Sequence, residues 1–116
     1  MPLMDRQPDY RELIKRSLGD WESYIRRARH NGVEVQRIFD DNNQNYVLMY
    51  LGWDNNRRVQ KTALHLRIKD GKIWIEADET DQGFANVLLR AGVPRQDIVL
   101  AFHPPELRRL SEFSPA

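Results

Sequence analysis

The amino-acid sequence predicts one α+β domain: an N-terminal helix, a four-stranded antiparallel meander, a second helix, and a short C-terminal strand or helical tail. Two patterns carry this prediction. Apolar residues recur at helical spacing near the N-terminus, and short apolar or alternating segments separated by polar turns fill the middle of the chain. Because 116 residues are enough for one core and too few for two, residues 1–116 are assigned to a single domain.

The first helix is predicted at residues 9–29, where apolar side chains recur every three or four positions and form one stripe. Asp9 and Glu12 have the spacing of a capping box. Gly19 weakens the middle of the helix by about 1 kcal/mol relative to alanine. The run from His30 to Gly32 is a typical helix end, because asparagine and glycine tolerate the left-handed backbone conformation.

Four strands are predicted to follow, at residues 33–40, 46–53, 59–69 and 72–77. The second is apolar on both faces, which is typical of a central strand. The third alternates apolar and polar residues, so one of its faces is expected to be buried and the other wet. Asp70 and Gly71 are a strong signal for a two-residue hairpin turn between the third and fourth strands.

The C-terminal part of the chain predicts a second helix and a short tail. Residues 81–91 carry an apolar stripe, and Gly92 followed by Pro94 gives the stop signal. Residues 98–102 favour a fifth strand, which Pro104 and Pro105 must end. Residues 106–113 indicate a last helical turn or two.

The composition is that of an ordinary globular protein, with 41% hydrophobic residues, 30% charged residues and a net charge of +1. This balance gives no global signal for nucleic acid or a membrane surface, so DNA contact would need a local basic patch. The absence of cysteine excludes disulfides, thiolate metal sites and a cysteine nucleophile. No apolar run approaches the roughly 20 residues that span a bilayer, and no signal peptide is evident. We therefore expect a cytoplasmic protein without a membrane partner.

Sequence motifs for catalysis and cofactor binding are absent. There is no phosphate-binding loop, no dinucleotide fingerprint, no serine nucleophile elbow and no zinc-protease motif. Residues 78–83 faintly resemble a calcium loop, but its twelfth position is Leu89 where a bidentate glutamate is needed. Asp54 with Asp70 and Lys72 could suggest a magnesium-dependent nuclease, yet the tight turn already explains Asp70. We therefore expect no cofactor, no metal and no enzymatic activity.

Basic and aromatic residues of the predicted strands form the candidate contact surface. The functional interpretation is a basic face for DNA phosphates or an acidic protein partner; the structural one is a solvated face kept charged against edge pairing. Lys61 is expected on that face too. Tryptophan on an otherwise polar sheet face indicates a partner surface, so we expect a homo- or hetero-oligomer. The candidate contact residues are Trp53, Arg57, Arg58, His65, Arg67, Lys69, Lys72 and Trp74.

Six segments are spread over nearly the whole chain: YRE at residues 10–12, VEVQRIFD at 33–40, GWDNNRR at 52–58, IKDGKIWI at 68–75, GVP at 92–94 and DIVLAFHPPE at 97–106. No single segment is diagnostic, but together, in matching order, they resemble the XisI family, the fdxN element excision controlling factors of cyanobacteria.

The resemblance implies a process more than a mechanism. Members of the family are described as controlling excision of a DNA element during heterocyst differentiation, beside a site-specific recombinase and a small companion factor, XisH. It thus implies a non-enzymatic accessory factor that binds an XisH-like companion, with direct DNA binding by the basic sheet face as the alternative. The family has no established catalytic residues to carry over. The family-motif positions without an assigned role are Asp54, Asn55, His103, Pro104 and Pro105.

Overall fold

The structure, a computed structural model, describes residues 9–28 and 32–116. Arg29, His30 and Asn31, at the predicted end of the first helix, lie outside the described residues. Within the described part, three α-helices and five strands follow one another. They are α1 (Arg11–Ala28), β1 (Val33–Asp40), β2 (Asn45–Asp54), β3 (Arg57–Lys69), β4 (Lys72–Asp78), α2 (Phe84–Arg90), β5 (Ile98–Leu100) and α3 (Pro105–Arg108). None of these helices is long and apolar enough to cross a membrane.

The five strands form one sheet in the order β1-β2-β3-β4-β5. The first four are antiparallel neighbours in chain order, as predicted. β5 instead joins β4 in parallel, with Ile98 opposite Ile73. Parallel neighbours need a crossover connection, and here the connection contains α2. The predicted α+β fold is therefore confirmed, and the fifth strand makes the sheet a mixed one.

The hydrophobic core lies between the sheet and the two longer helices, which cover the same face. Alternate residues of the strands point into it, since successive side chains of a strand point to opposite faces. Each side chain removed from water in this way contributes roughly 1.5–3 kcal/mol. The fully buried side chains of this core are Ile14 and Leu18 of α1, Tyr46 and Leu48 of β2, Leu64 and Leu66 of β3, Ile73 and Ile75 of β4, Phe84 and Leu88 of α2, and Ile98 of β5.

Local sequence signals account for several ends and turns. Asp70 and Gly71 have φ values of 54° and 75°, as the predicted two-residue turn requires. The Asp9 carboxylate accepts a hydrogen bond of 3.1 Å from the backbone N–H of Arg11 and so satisfies one N–H of the first turn of α1, whereas the predicted capping box would bond it to the N–H of Glu12. Gly32, at the predicted helix stop, has a φ of 73°.

The second helix is shorter than predicted, because its first three expected residues belong to a loop. Gly83 has a φ of 83°, which is outside the helical region. The Asp78 carboxylate accepts hydrogen bonds from the backbone N–H groups of Thr80 (2.9 Å) and Phe84 (2.6 Å). Asp78 therefore caps the start of α2 from the end of β4.

A bulge in β3 reverses the direction of its side chains. Leu48 pairs with Leu64 and Met49 pairs with Thr62, so Ala63 is an extra residue without an opposite partner. Beyond the bulge Lys61 pairs with the buried Tyr50, and its ammonium nitrogen lies 5.9 Å from the centroid of the Tyr50 ring. The expectation that Lys61 shares a face with Arg67 and Lys69 is therefore wrong, because one extra residue moves it to the core side.

A charged cluster joins α1 to the edge strand β1. Glu22 is buried, and its carboxylate accepts hydrogen bonds from Nη2 of Arg26 (2.7 Å) and from Nε of Arg37 in β1 (2.8 Å). The Arg26 guanidinium also donates to the carbonyl oxygen of Val35 at 3.2 Å. The buried carboxylate is thus compensated by two cations, as a buried charge must be.

This cluster predicts a loss of stability in acid. Burial raises the pKa of Glu22, but the hydrogen bonds from Arg26 and Arg37 outweigh it, and the pKa is lowered from its ordinary 4.5. Since the folded state holds the proton less tightly, ionised Glu22 stabilises the fold above the unfolded pKa, and this is lost as pH falls through the folded pKa. We expect the urea concentration at the unfolding midpoint to decrease as the pH is lowered below about 5. This decrease is expected to be less steep in Glu22→Gln than in the exposed control Glu106→Gln. Equal slopes in the two variants would contradict this.

Candidate functional site

The side of the sheet turned away from α1 and α2 carries an apolar surface over β1, β2 and β3, which we call the open face. The strand register places Ile38 opposite Val47, and Val47 opposite His65. Ile38 and Trp53 are 54% and 55% exposed. The open face consists of Ile38, Val47, Met49, Leu51, Trp53 and His65, of which the other four are half-buried. Large apolar side chains that are left in water on one face indicate a contact surface.

The tip of the β2–β3 hairpin extends past the edge strand. β1 begins opposite Gly52, and residues 53–58, which lie beyond this point of the hairpin, are all exposed. Trp53 pairs with Arg58, whose guanidinium carbon lies 5.6 Å from the centroid of the Trp53 ring. Arg58 also donates to the carbonyl oxygen of Gly52 at 3.3 Å. The tip therefore presents an aromatic ring and a stacked cation together, which is a frequent composition of binding hot spots.

The remaining tip residues form the turn. Asp54 pairs with Arg57, and Asn55 adopts a φ of 55°, which asparagine tolerates better than most residues. Asp54, Asn55 and Arg57 are exposed. The tip thus joins three of the predicted contact residues, Trp53, Arg57 and Arg58, with two of the family-motif positions.

Trp74 also points to the open-face side of the sheet, but it is covered. It is only 8% exposed. The Lys69 ammonium lies 4.7 Å from the ring, and the guanidinium carbons of Arg108 and Arg67 lie 5.7 and 5.8 Å away. Its indole N–H donates to the carbonyl oxygen of Lys69 at 3.1 Å. Trp74 therefore anchors α3 and the C-terminal segment to the sheet through cation–π contacts.

The other basic candidates at this end are engaged within the chain. Nε of Arg67 donates to the Glu76 carboxylate at 2.7 Å. The Lys72 ammonium donates to the Ser114 hydroxyl at 2.9 Å and to the carbonyl oxygen of Ala116 at 3.2 Å. This end of β3 is separated from Arg57 by the length of the strand, roughly 40 Å at the usual rise. The predicted basic residues thus form two groups and are not brought together.

His65 lies between these two groups. Its Nε2 atom is 2.8 Å from the side-chain oxygen of Asn45. Burial is the main cause that lowers the pKa of His65; Arg67 lowers it further, while Glu76 acts in the opposite direction. Because the pKa is already below the ordinary 6.5, the ring is mostly uncharged at neutral pH. His65 therefore continues the apolar surface of Val47 more than it adds to a basic patch.

The C-terminal family-motif residues organise α3. The His103 ring lies 4.6 Å from the ring of Phe102, and its carbonyl oxygen accepts a hydrogen bond of 3.0 Å from Arg108. Pro104 precedes the helix, and Pro105 opens it, where proline is well tolerated. These residues follow β5, whereas Asp54 and Asn55 lie at the β2–β3 turn. The structure does not bring the two motif loops together.

The geometry gives no support to the two metal hypotheses. Asp54 is the last residue of β2, next to one end of β3, whereas Asp70 lies in the turn at the other end. Asp78, first residue of the loop that resembled a calcium site, caps α2 instead. Across residues 9–28 and 32–116, no group of three or more His, Asp or Glu side chains is arranged to hold a metal ion.

Four residues of the open face were missed by the sequence analysis: Ile38, Val47, Met49 and Leu51. A strand that is apolar on both faces indicated a buried central strand, and β2 does lie inside the sheet. The one residue whose pattern could have indicated an exposed apolar surface is Ile38. It shares a face with Glu34 and Gln36 in β1, so an apolar residue there needs an explanation other than the core.

The fold and this surface define a small α+β protein in which helices cover one face of a mixed sheet and most of the other face is open. The family model of the XisI protein matches residues 4–115, and the chain therefore belongs to the XisI family. The resemblance seen in the sequence is confirmed.

Two solved structures from Anabaena variabilis ATCC 29413 are similar over almost the whole chain. A XisI-like protein is 37% identical, with 92% of this chain and 96% of that chain covered and a TM-score of 0.84. The fdxN element excision controlling factor XisI is 34% identical, with 93% of this chain and 100% of that chain covered and a TM-score of 0.73. A comparison with curated proteins gives no match.

Proposed function

We propose that this chain is a non-enzymatic accessory factor that controls excision of a DNA element by binding a companion protein through its open face. The membership of the XisI family supports the role in excision control, since one similar structure is an fdxN element excision controlling factor. The observation that carries the binding mode is the exposure of Ile38 and Trp53 on the side of the sheet that α1 and α2 leave uncovered.

The open face has the physical properties of a protein-binding surface. Burying a large apolar side chain contributes roughly 1.5–3 kcal/mol, and two such side chains are more than half exposed here. Trp53 and Arg58 are of the residue types that dominate hot spots, and they already lie stacked on one another. A preformed pair loses less side-chain freedom on binding than two independent side chains.

The companion that we propose is an XisH-like protein, acting beside a site-specific recombinase in cyanobacterial heterocyst differentiation. A protein is favoured over DNA as the direct partner because the net charge is +1 and the basic residues are divided between the two ends of β3. At one end, Arg67 and Lys72 are already bonded within the chain. This leaves little uncompensated positive charge to neutralise a run of phosphates.

The experiment is a titration of the purified chain with an XisH-like protein encoded in the same genome. We expect a complex at micromolar concentration, and we expect Trp53→Ala and Ile38→Ala to weaken it by about tenfold or more. Phe102→Ala and Leu110→Ala are matched controls, since both remove exposed apolar side chains of the C-terminal segment. No complex with the unchanged protein, or equal affinity of Trp53→Ala and Phe102→Ala, would refute the proposal.

Direct DNA binding is the second candidate, and one observation favours it: Arg57 and Arg58 are exposed at the hairpin tip beside an aromatic ring. The same preparations distinguish the two functions. Binding of labelled duplex DNA that weakens with salt, and weakens further when both arginines are replaced by alanine, would favour this candidate. No shift of labelled DNA at low salt would exclude it.

A further inference from the structure

A cavity of about 320 Å³ lies on the helix side of the sheet, away from the open face. It is bounded by the second half of α1, by β2 and β3, and by the loop that leads from β4 to α2. Its volume is at the lower end of the range for ligand sites, roughly 300–1,000 Å³. A space of this size suits one extended side chain better than a larger molecule.

The walls of the cavity combine aromatic rings with carboxylates. Trp21 and Tyr24 of α1 have ring centroids 5.1 Å apart, and Tyr50 of β2 adds a third ring. Tyr24 is 53% exposed, so its ring is accessible from solvent. Glu79 and Asp81 of the loop complete the rim. Rings attract cations over their faces, and carboxylates attract them further, so the lining favours a positively charged ligand.

One cation of the chain itself already shows this mode of binding. The β3 bulge directs Lys61 to this side of the sheet, where its ammonium lies 5.9 Å from the centroid of the Tyr50 ring. The same ammonium donates to the Glu79 carboxylate at 3.1 Å. An ammonium group is therefore held between a ring and a carboxylate that both line the cavity.

In the other half of the lining, no described residue places such a cation. Among the described residues Asp81 forms no ion pair, and it is exposed at the rim beside the loop residue Gln82. Because Lys61 pairs with Glu79 alone, Asp81 keeps its negative charge uncompensated by any cation of residues 9–28 and 32–116. Trp21 and Tyr24 line the helix side of the same space.

We propose that this cavity binds the ammonium group of a lysine side chain presented by a protein partner, with Lys61 as an internal competitor. The alkyl stem of lysine would lie along Trp21 and Tyr24, and its ammonium would be shared by the rings and Asp81. This inference is independent of the proposed function, because the cavity and the open face are on opposite sides of the sheet.

The test is an NMR titration of the isotope-labelled chain with acetyl-Gly-Lys-Gly-amide. We expect saturable shifts of the Trp21 indole N–H and of the residues around Asp81. The matched control peptide has norleucine in place of lysine, which keeps the alkyl chain and removes the charge. Equal shifts with both peptides would overturn the proposal, and so would binding of free 1,5-diaminopentane without binding of the lysine peptide.

Three variants make the test specific to the cavity. We expect Asp81→Asn to weaken lysine-peptide binding about threefold or more, because the uncompensated charge is lost. We expect Lys61→Met to strengthen it by a similar factor, because Glu79 is then available to the ligand. Glu106→Gln removes an exposed charge outside the cavity and is expected to leave affinity unchanged. Unchanged affinity in Lys61→Met, or an equal loss in Glu106→Gln, would overturn the proposal.

Discussion

Replacing Gly52 with alanine is expected to lower the free energy of unfolding by about 3 kcal/mol, because the backbone leaves no room for a side chain. Gly52 has a φ of 149°, a conformation that L residues rarely adopt. A Cβ atom there would lie 2.0 Å from the carbonyl oxygen of Gly32 and 2.9 Å from the Cα atom of Val33. Both are backbone atoms at the start of the edge strand, so neither can rotate away as a flexible side chain would.

The close approach at Gly52 also orients the hairpin tip. The backbone N–H of Trp53 donates to the carbonyl oxygen of Gly32 at 3.1 Å, and a methyl group on Gly52 would push these two strands apart. The same variant is therefore expected to displace Trp53. Urea denaturation gives the loss of stability, and the Trp53 indole signal reports the change at the tip.

Gly19→Ala is the matched control for Gly52→Ala, and its expected effect has the opposite sign. Gly19 lies within α1, and the nearest atom to its added Cβ would be a side-chain nitrogen of Arg37 at 3.7 Å, an ordinary contact. Alanine in a helix interior is better than glycine by roughly 0.5–1 kcal/mol. Stability of Gly52→Ala within about 0.5 kcal/mol of the unchanged protein would contradict the strain at this position.

Phe84→Ala is expected to destabilise the fold by about 3–5 kcal/mol, the second large effect. The Phe84 side chain is fully buried at the first residue of α2. Its ring contacts Trp21 of α1 edge to face, with centroids 6.3 Å apart and planes at 83°. Removal of the ring leaves a cavity where the two helices meet over the sheet, and the surrounding backbone elements are too constrained to close it fully.

Phe102→Ala is the control for Phe84→Ala, because it makes the same substitution at an exposed position. The same atoms are removed, but Phe102 is 47% exposed near the C-terminus. We expect a loss below about 1 kcal/mol, as for most substitutions away from the core. Thermal and urea unfolding of the two variants, compared with the unchanged protein, measure the difference. Equal losses would mean that Phe84 does not connect α1 and α2 in solution.

Periodicity and turn chemistry predicted the order of elements and nearly all strand limits. β1 has the predicted bounds, and β2, β3 and β4 differ from them by at most two residues at either end. Alternation of side chains and the Asp70-Gly71 turn are local properties, so they can be read without knowledge of the fold. The parallel position of β5 is not local, because three residues carry no information about which neighbour they join.

The candidate site was predicted in part. Trp53, Arg57 and Arg58 are close in sequence, and the hairpin keeps them together. The burial of Trp74 depends on Arg108, which comes from a segment more than thirty positions further along the chain. No sequence pattern predicts the bulge at Ala63, and this bulge directs Lys61 toward the helix-side cavity. Features set by long-range packing were therefore the ones that the sequence could not supply.

The two halves of β3 have different neighbours, and this has a consequence for motion. Residues 64–67 are paired with β2 on one side and β4 on the other, whereas residues 57–62 are paired with β2 alone. Backbone segments with fewer partners open at lower free energy and form separate cooperative units. We therefore expect the hairpin tip to open at lower free energy than the sheet behind it. A partner bound at Trp53 would reduce the mobility of the hairpin tip without rearranging the core, so binding can be transmitted as a loss of mobility.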